Sequence, residues 1–319
     1  MRQRIASLLL GFTVSMASIA TAAPFREVVS FGDSLSDAGA FGFRATTVPS
    51  LAWPQLLAKS YGATQTAHER GDYATFGQGV AGTIDSAGLN YAEGGARVNA
   101  GFGTNPDGMP ISGKVQLDRY LARHGRFTEG QLVTVYLGTN DILIPVLGAM
   151  QGEAAKSHLP AATLETMRAG IVQAARDLGV LIECILAAGA PKVAVLGLFD
   201  LGATPVASTP ALAEALTGLA RDFNRQLAAS LPKDPRLVPI DTAGFFAELS
   251  ARPERYGFTH PAKEEPCVPP AQAQECYLPA HWRSPDVPET YIFIGGVHFT
   301  ARTGRLLAEY VRQQVETKK

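Results

Sequence analysis

At 319 residues, with 28 basic and 29 acidic side chains and a net charge of −1, the chain has no electrostatic bias toward nucleic acid or an anionic membrane surface. It is long enough to fill the core of one large α/β domain. It contains no internal repeat or low-complexity tract, which argues against a solenoid or a tail-dominated protein.

The chain opens as a secretory signal does. Arg2 and Arg4 give a positive start, an apolar run extends from Ile5 to about Ala20, and Ala20-Thr21-Ala22 fits the small-x-small cleavage pattern. Residues 1–23 therefore read as a signal peptide and 24–319 as a single domain. An uncleaved membrane anchor is the alternative, weakened by a run shorter than the roughly 20 residues a span requires. No cysteine follows the cleavage region, so a lipid anchor has no attachment point there. The expectation is export to the periplasm or the medium, with no integral membrane segment after cleavage. Oligomeric state is left open.

Glu27 to Phe31 (EVVSF) reads as a first strand and Leu89 to Ala92 as a shorter candidate. Leu132 to Leu137 (LVTVYL), Lys192 to Leu198 (KVAVLGL) and Arg236 to Ile240 (RLVPI) follow. Apolar residues at three- and four-residue steps predict a helix through Leu164, Met167, Ile171, Leu178, Ile182 and Ile185, with Thr163 as its cap. A second runs from Leu212 to Leu227 before Pro232 stops it, and a third from Thr300 to Val315. Strands alternating with helices predict a parallel sheet covered on both faces. Regions 97–113 and 250–290 are rich in Gly and Pro and read as long loops. Cys267 and Cys276 lie nine apart in the second of these, a spacing that suits a disulfide in an oxidising compartment. Cys184 falls within an apolar helical pattern and reads as a buried free thiol.

In parallel α/β sheets, ligands bind outside the carboxyl ends of the strands. Three polar, turn-forming sites fall there. Ser34 sits in Phe31-Gly32-Asp33-Ser34-Leu35-Ser36-Asp37, Gly95 in Asn90-Tyr91-Ala92-Glu93-Gly94-Gly95-Ala96, and Asn140 in Gly138-Thr139-Asn140-Asp141. Singly, Ser34 also suits a helix N-cap and Asn140 a turn. Asp37 and Asp141 read as loop braces or helix caps.

These blocks, in this order and followed by His298 before the last helix, resemble those of the GDSL (SGNH) serine hydrolases from about residue 27 to 315. The resemblance implies a three-layer α/β/α sandwich with a mostly parallel, flavodoxin-like central sheet. It implies a carboxylic-ester hydrolase, of esterase or lipase type, working through an acyl-serine on a small or lipid ester without cofactor. Ser34 is the implied nucleophile and His298 the base. The backbone N–H groups of Ser34 and Gly95 and the side-chain amide of Asn140 are the implied oxyanion donors. A hydroxyl needs such a base to become nucleophilic, and donors aimed at the developing oxyanion lower the barrier. Phe102, Met109 and Phe245 are candidates for an acyl pocket.

The last block departs from the family. Gly295 stands three residues before His298, where an Asp is usual, and Phe299 stands where a Pro is usual. Three accounts are open: a backbone carbonyl near Gly295 orients His298, a carboxylate such as Asp286 or Glu289 swings in, or the site is crippled. The last makes the protein a non-catalytic or weakly active ligand-binding relic. His68, His124, His158, His260 and His281 carry no motif. HExxH, paired CxxC and GxxxxGK[ST] patterns are absent from the sequence, so no metal or nucleotide is expected.

Overall fold

A computed structural model describes residues 23–78, 80–100, 108–150, 160–268 and 274–317. Residues 1–22 of the expected signal, together with Phe102 and His158, lie outside the described residues. In chain order the elements are β1 (Glu27–Gly32), α1 (Trp53–Ser60), β2 (Glu69–Arg70), β3 (Thr83–Ile84), α2 (Gly113–His124) and β4 (Gln131–Tyr136). They continue with α3 (Thr139–Ala149), α4 (Ala161–Ala187), β5 (Val193–Leu196), α5 (Pro210–Ser230), β6 (Leu237–Ile240) and α6 (Thr242–Ala251). The last are α7 (Val287–Thr290), β7 (Phe293–Ile294), β8 (His298–Phe299) and α8 (Ala301–Thr317).

Strands β1, β4, β5 and β6 pair in that order, all parallel. Their runs are apolar on consecutive residues because both faces are covered: Val28, Val29, Leu132, Val133, Val135, Val193 and Val195 are all buried. The predicted strand at 89–92 is reduced to a bridge. Ser30 donates its N–H to the Leu89 carbonyl (3.0 Å) and accepts from Tyr91 N–H (2.8 Å). The Asn90 side chain ties the segment to its neighbours: its amide donates to the Ser36 carbonyl (2.9 Å) and Gln65 Oε1 (3.1 Å), and its Oδ1 accepts Ala92 N–H (3.1 Å).

With this segment beside β1, the strands lie in the spatial order second, first, third, fourth, fifth. This is the flavodoxin-like order, whose switch point is the crevice beyond β1 and β4. Helices α2 to α5 pack among themselves as one layer, and α1 packs on α8 as the other. The sandwich is therefore the three-layer arrangement expected. Among the described residues, no helix is long and apolar enough to cross a membrane.

Phe31, fully buried, anchors the end of β1. Its ring stands edge-on to Tyr120 (5.9 Å) and Phe127 (6.3 Å) and lies beside Tyr91 (5.6 Å). Burying such a side chain stabilises by roughly 1.5–3 kcal/mol, which fixes the strand three residues before Ser34.

Local expectations need correction at three points. Helix α4 begins at Ala161 with Pro160 at its N-cap, so Thr163 lies inside it and does not cap it. Cys184 is exposed, one position off the buried stripe of Leu181, Ile182 and Ile185. Within the span read as one loop from 250 to 290, α6 reaches Ala251 and short helical turns recur. Cys267 and Cys276 are joined there as a disulfide, with Cα atoms 5.5 Å apart.

Candidate active site

The chain leaves β1 through Gly32, whose N–H and C=O are both clamped by the Gln116 side chain (2.9 and 2.8 Å). A Cβ at this glycine would lie 2.9 Å from Ser36 Cβ and 3.0 Å from the Tyr136 carbonyl, so the tight exit requires Gly. Asp33 then braces the turn by accepting Leu35 N–H (3.0 Å), and Ser36 N–H returns to the Asp33 carbonyl (2.9 Å). Ser34 is thereby held at the apex, half-buried, at the carboxyl end of β1.

Gly138, two residues past β4, has φ +117°, and a Cβ there would fall 2.3 Å from the Phe223 ring. The sharp turn starts α3 at Thr139 and places Asn140 in its first turn. One N–H of the Asn140 amide is given to the Ala96 carbonyl (3.1 Å), which fixes the plane of the group and leaves its second N–H to point elsewhere. Gly94 and Gly95 lie on the loop after the Asn90 segment. Gly94 donates its N–H to Asp37 Oδ2 (2.9 Å), which makes Gly95, at φ +86°, the candidate donor of the pair.

His298 comes from the far end of the chain. It opens β8, which pairs antiparallel with β7 through a turn at Gly295-Gly296-Val297. The strand is pinned from outside by Thr46, which donates its hydroxyl to the Phe299 carbonyl (2.8 Å). His298 Nε2 lies 2.9 Å from Ser34 Oγ across 264 residues of sequence. Its Nδ1 faces two oxygens, the Tyr277 hydroxyl at 2.9 Å and the Gly295 carbonyl at 3.4 Å. Burial pushes the imidazole down from its ordinary value to about 4, partly opposed by the Gly295 carbonyl.

The substitute acids suggested by the sequence are elsewhere. Asp286 accepts from the Ser284 hydroxyl at the start of α7, and Glu289 pairs with Arg302 (3.2 Å) and Arg305 (2.6 Å) on α8. Those two cations claim Glu289 for the helix surface. A carboxylate does enter from the loop, but it is Glu265. It accepts Gly295 N–H (3.1 Å) and Gly296 N–H (2.7 Å), whose residues have φ of +57° and +89°. Successive amides in such a conformation form an anion-holding nest. The paired glycines therefore receive Glu265, which shapes the turn before His298 through the backbone. Burial raises the Glu265 carboxyl, and its bonds to these amides partly offset that. Tyr277 and Glu265 were both missed by sequence reasoning. The glycine pair was the available signal for the second.

Other acids near Ser34 brace loops. Asp37 accepts Gly39 and Ala40 N–H (both 2.7 Å) in addition to Gly94 N–H, and Asp141 accepts Val98 N–H (3.1 Å). Burial pushes Asp33 up to about 7 and Asp37 and Asp141 up to about 6.

Ser34, Gly94, Gly95, Asn140, Tyr277 and His298 share one cavity of about 400 Å³. The rest of its wall is mostly apolar, made by Phe41, Phe43, Tyr73, Phe76, Ile144 and Leu147, with Asp37 and Gln274 as its further polar members. Two of the three residues expected to line an acyl pocket do not. Met109 is fully buried against Phe41 and Ala67, and Phe245 stacks on Tyr310 (4.8 Å) against α8. A larger concavity beside α4 and α5, about 770 Å³, contains none of the predicted site residues.

A sequence model of the GDSL-like lipase/acylhydrolase family matches residues 28–311. A Pseudomonas putida protein described as uncharacterized, from the trpE-trpG intergenic region, is 27% identical over 272 residues. That alignment covers 78% of this chain and 42% of the relative, so the chain spans about two fifths of the length of the curated relative it matches. Among solved structures, one from Parabacteroides merdae described as a GDSL-like lipase aligns at 12% identity and TM-score 0.41, covering 92% of this chain and 96% of that one. The native aryl esterase of M. smegmatis aligns at 17% identity and TM-score 0.38, covering 91% and 99%.

Proposed function

This chain belongs to the GDSL-like lipase/acylhydrolase family, and we propose that it hydrolyses carboxylic esters through an acyl-Ser34 intermediate. The observation that carries the reading is the 2.9 Å contact between Ser34 Oγ and His298 Nε2 at an apolar cavity that Asn140 and Gly95 also line. Ser34 Oγ attacks the ester carbonyl while His298 Nε2 takes its proton. The N–H groups of Ser34, Gly95 and Asn140 hold the oxyanion. Collapse expels the alcohol, which leaves with the proton from His298. Water then gives a proton to His298 and attacks the acyl-serine, and a second collapse frees the acid and restores Ser34. The apolar wall favours an ester with an apolar acyl or aryl part, whether small or lipid. Export through residues 1–23 belongs to the same proposal, and the Cys267–Cys276 disulfide supports it.

A fluorophosphonate probe tests the reading, because it reacts with an activated serine. The expected result is stoichiometric labelling of the mature protein and none of Ser34→Ala. An unlabelled wild type would sink the esterase and leave a ligand-binding protein with the same pocket.

The base also has a distinctive titration. A neutral ring is the competent form, so a lowered value keeps His298 competent on the acid side of the ordinary histidine range of about 6.5. Its ring, followed by NMR and assigned by its loss in His298→Ala, is expected to titrate near pH 4. A midpoint at 6.5 or above would mean that an ionised partner, not a neutral one, faces Nδ1.

A further inference from the structure

The family's usual carboxylate is missing next to His298, yet a base with no oriented Nδ1 proton works poorly. The correct tautomer carries its proton on Nδ1 and leaves Nε2 bare for Ser34. In serine proteases built on a Ser-His-Asp triad, replacing the orienting Asp by Asn costs about 10⁴-fold in kcat through the wrong tautomer. Something in this chain must therefore set the proton's place.

We propose that Tyr277 is the positioning residue that receives this proton: the Gly295 carbonyl excludes a bare Nδ1, and the phenol oxygen accepts the Nδ1–H of His298 and so holds the ring, in place of a carboxylate. The inference rests on the esterase reading of the same site. The phenol oxygen is the nearer of the two oxygens at Nδ1, 2.9 Å against 3.4 Å for the Gly295 carbonyl. The carbonyl can only accept, so a lone pair on Nδ1 would face another lone pair; this breaks the tie in favour of Nδ1–H and makes the phenol the acceptor. The phenol hydrogen is then free to turn toward the cavity that Tyr277 helps to line.

The ring is also immobilised, as a positioning group must be. Tyr277 is only 4% exposed, stacks on Phe43 (5.9 Å) and stands edge-on to the imidazole (5.5 Å). Its carbonyl accepts Val48 N–H (3.0 Å), and the residue before it is tied to Cys267 by the disulfide. Glu265 completes the frame by holding the Gly295-Gly296 amides of the turn.

The test is Tyr277→Phe, which keeps the ring and its stacking and removes only the oxygen. The expected result is a fall in kcat of about 10- to 100-fold, the scale of a misdirected catalytic group, with KM and melting temperature unchanged. With ¹⁵N-labelled histidine, the His298 ring of the variant is expected to stay in the Nδ1–H tautomer, held by the Gly295 carbonyl, while its Nδ1 proton moves upfield and exchanges faster with water because the shorter of its two hydrogen bonds is gone. Unchanged kcat, or a fall with the shift and exchange of the Nδ1 proton unaltered, would overturn the proposal. If the variant does not fold, the wild type decides: an NOE from the His298 Nδ1 proton to the Tyr277 ring is expected, and an Nε2-protonated ring without it would count as refutation. These spectra need no turnover. Failure of the esterase reading, seen as an unlabelled Ser34, is thus distinguishable from failure of the role given to Tyr277.

Discussion

Ser34→Ala and His298→Ala are each expected to lower kcat for p-nitrophenyl esters by about 10⁶-fold, and the double variant to lose no more than either alone. Members of a nucleophile–base pair act as a unit, so removing one leaves nothing for the other to do. The geometry supports this strongly here, because Oγ and Nε2 touch each other at 2.9 Å. What survives in all three variants should be the same residual catalysis, supplied by oxyanion donors and binding. Additive losses would mean that Ser34 and His298 serve separate steps. Equal turnover by wild type and Ser34→Ala on esters from acetate to palmitate would remove the acyl-serine altogether.

Asn140→Ala is expected to lower kcat by about 10²- to 10³-fold while leaving KM nearly unchanged. The donor is already oriented, since the Ala96 carbonyl holds one amide N–H and no reorganisation is needed when charge develops. The loss should appear in kcat because a ground-state carbonyl gains little from this donor. Asn140→Asp should be worse than Asn140→Ala, as it places an acceptor where the oxyanion forms. A rise in KM with constant kcat would reassign Asn140 to substrate binding.

The sheet was legible because its strands are buried on both faces and so appear as unbroken apolar runs. The long helices were legible because each buries one stripe. Helix α3 was not, since Pro145 inside it and Gly138 before it disguise a helix as a loop. Ser34, Asn140 and His298 were legible because each follows the end of a strand or precedes the last helix. Tyr277 was not. Its role depends on how the segment after α6 folds back on the first and last turns of the domain, and nothing in the local pattern around Cys276 announces that. The absence of Asp at 295 was visible, but the meaning of Gly295-Gly296 as a receptor for Glu265 required a partner 30 residues away. Cys184 shows the opposite failure, where a one-residue phase error in a 27-residue helix turned an exposed thiol into a buried one.

Asp37 gathers three backbone amides from two loops, one following Ser34 and one carrying Gly95. Because a single carboxylate holds both, the spacing of the two loops is set by one short side chain. In the proposed reaction that spacing is the gap between the attacking oxygen and an oxyanion donor, so their registry would depend on Asp37 and not on the aromatic wall above them.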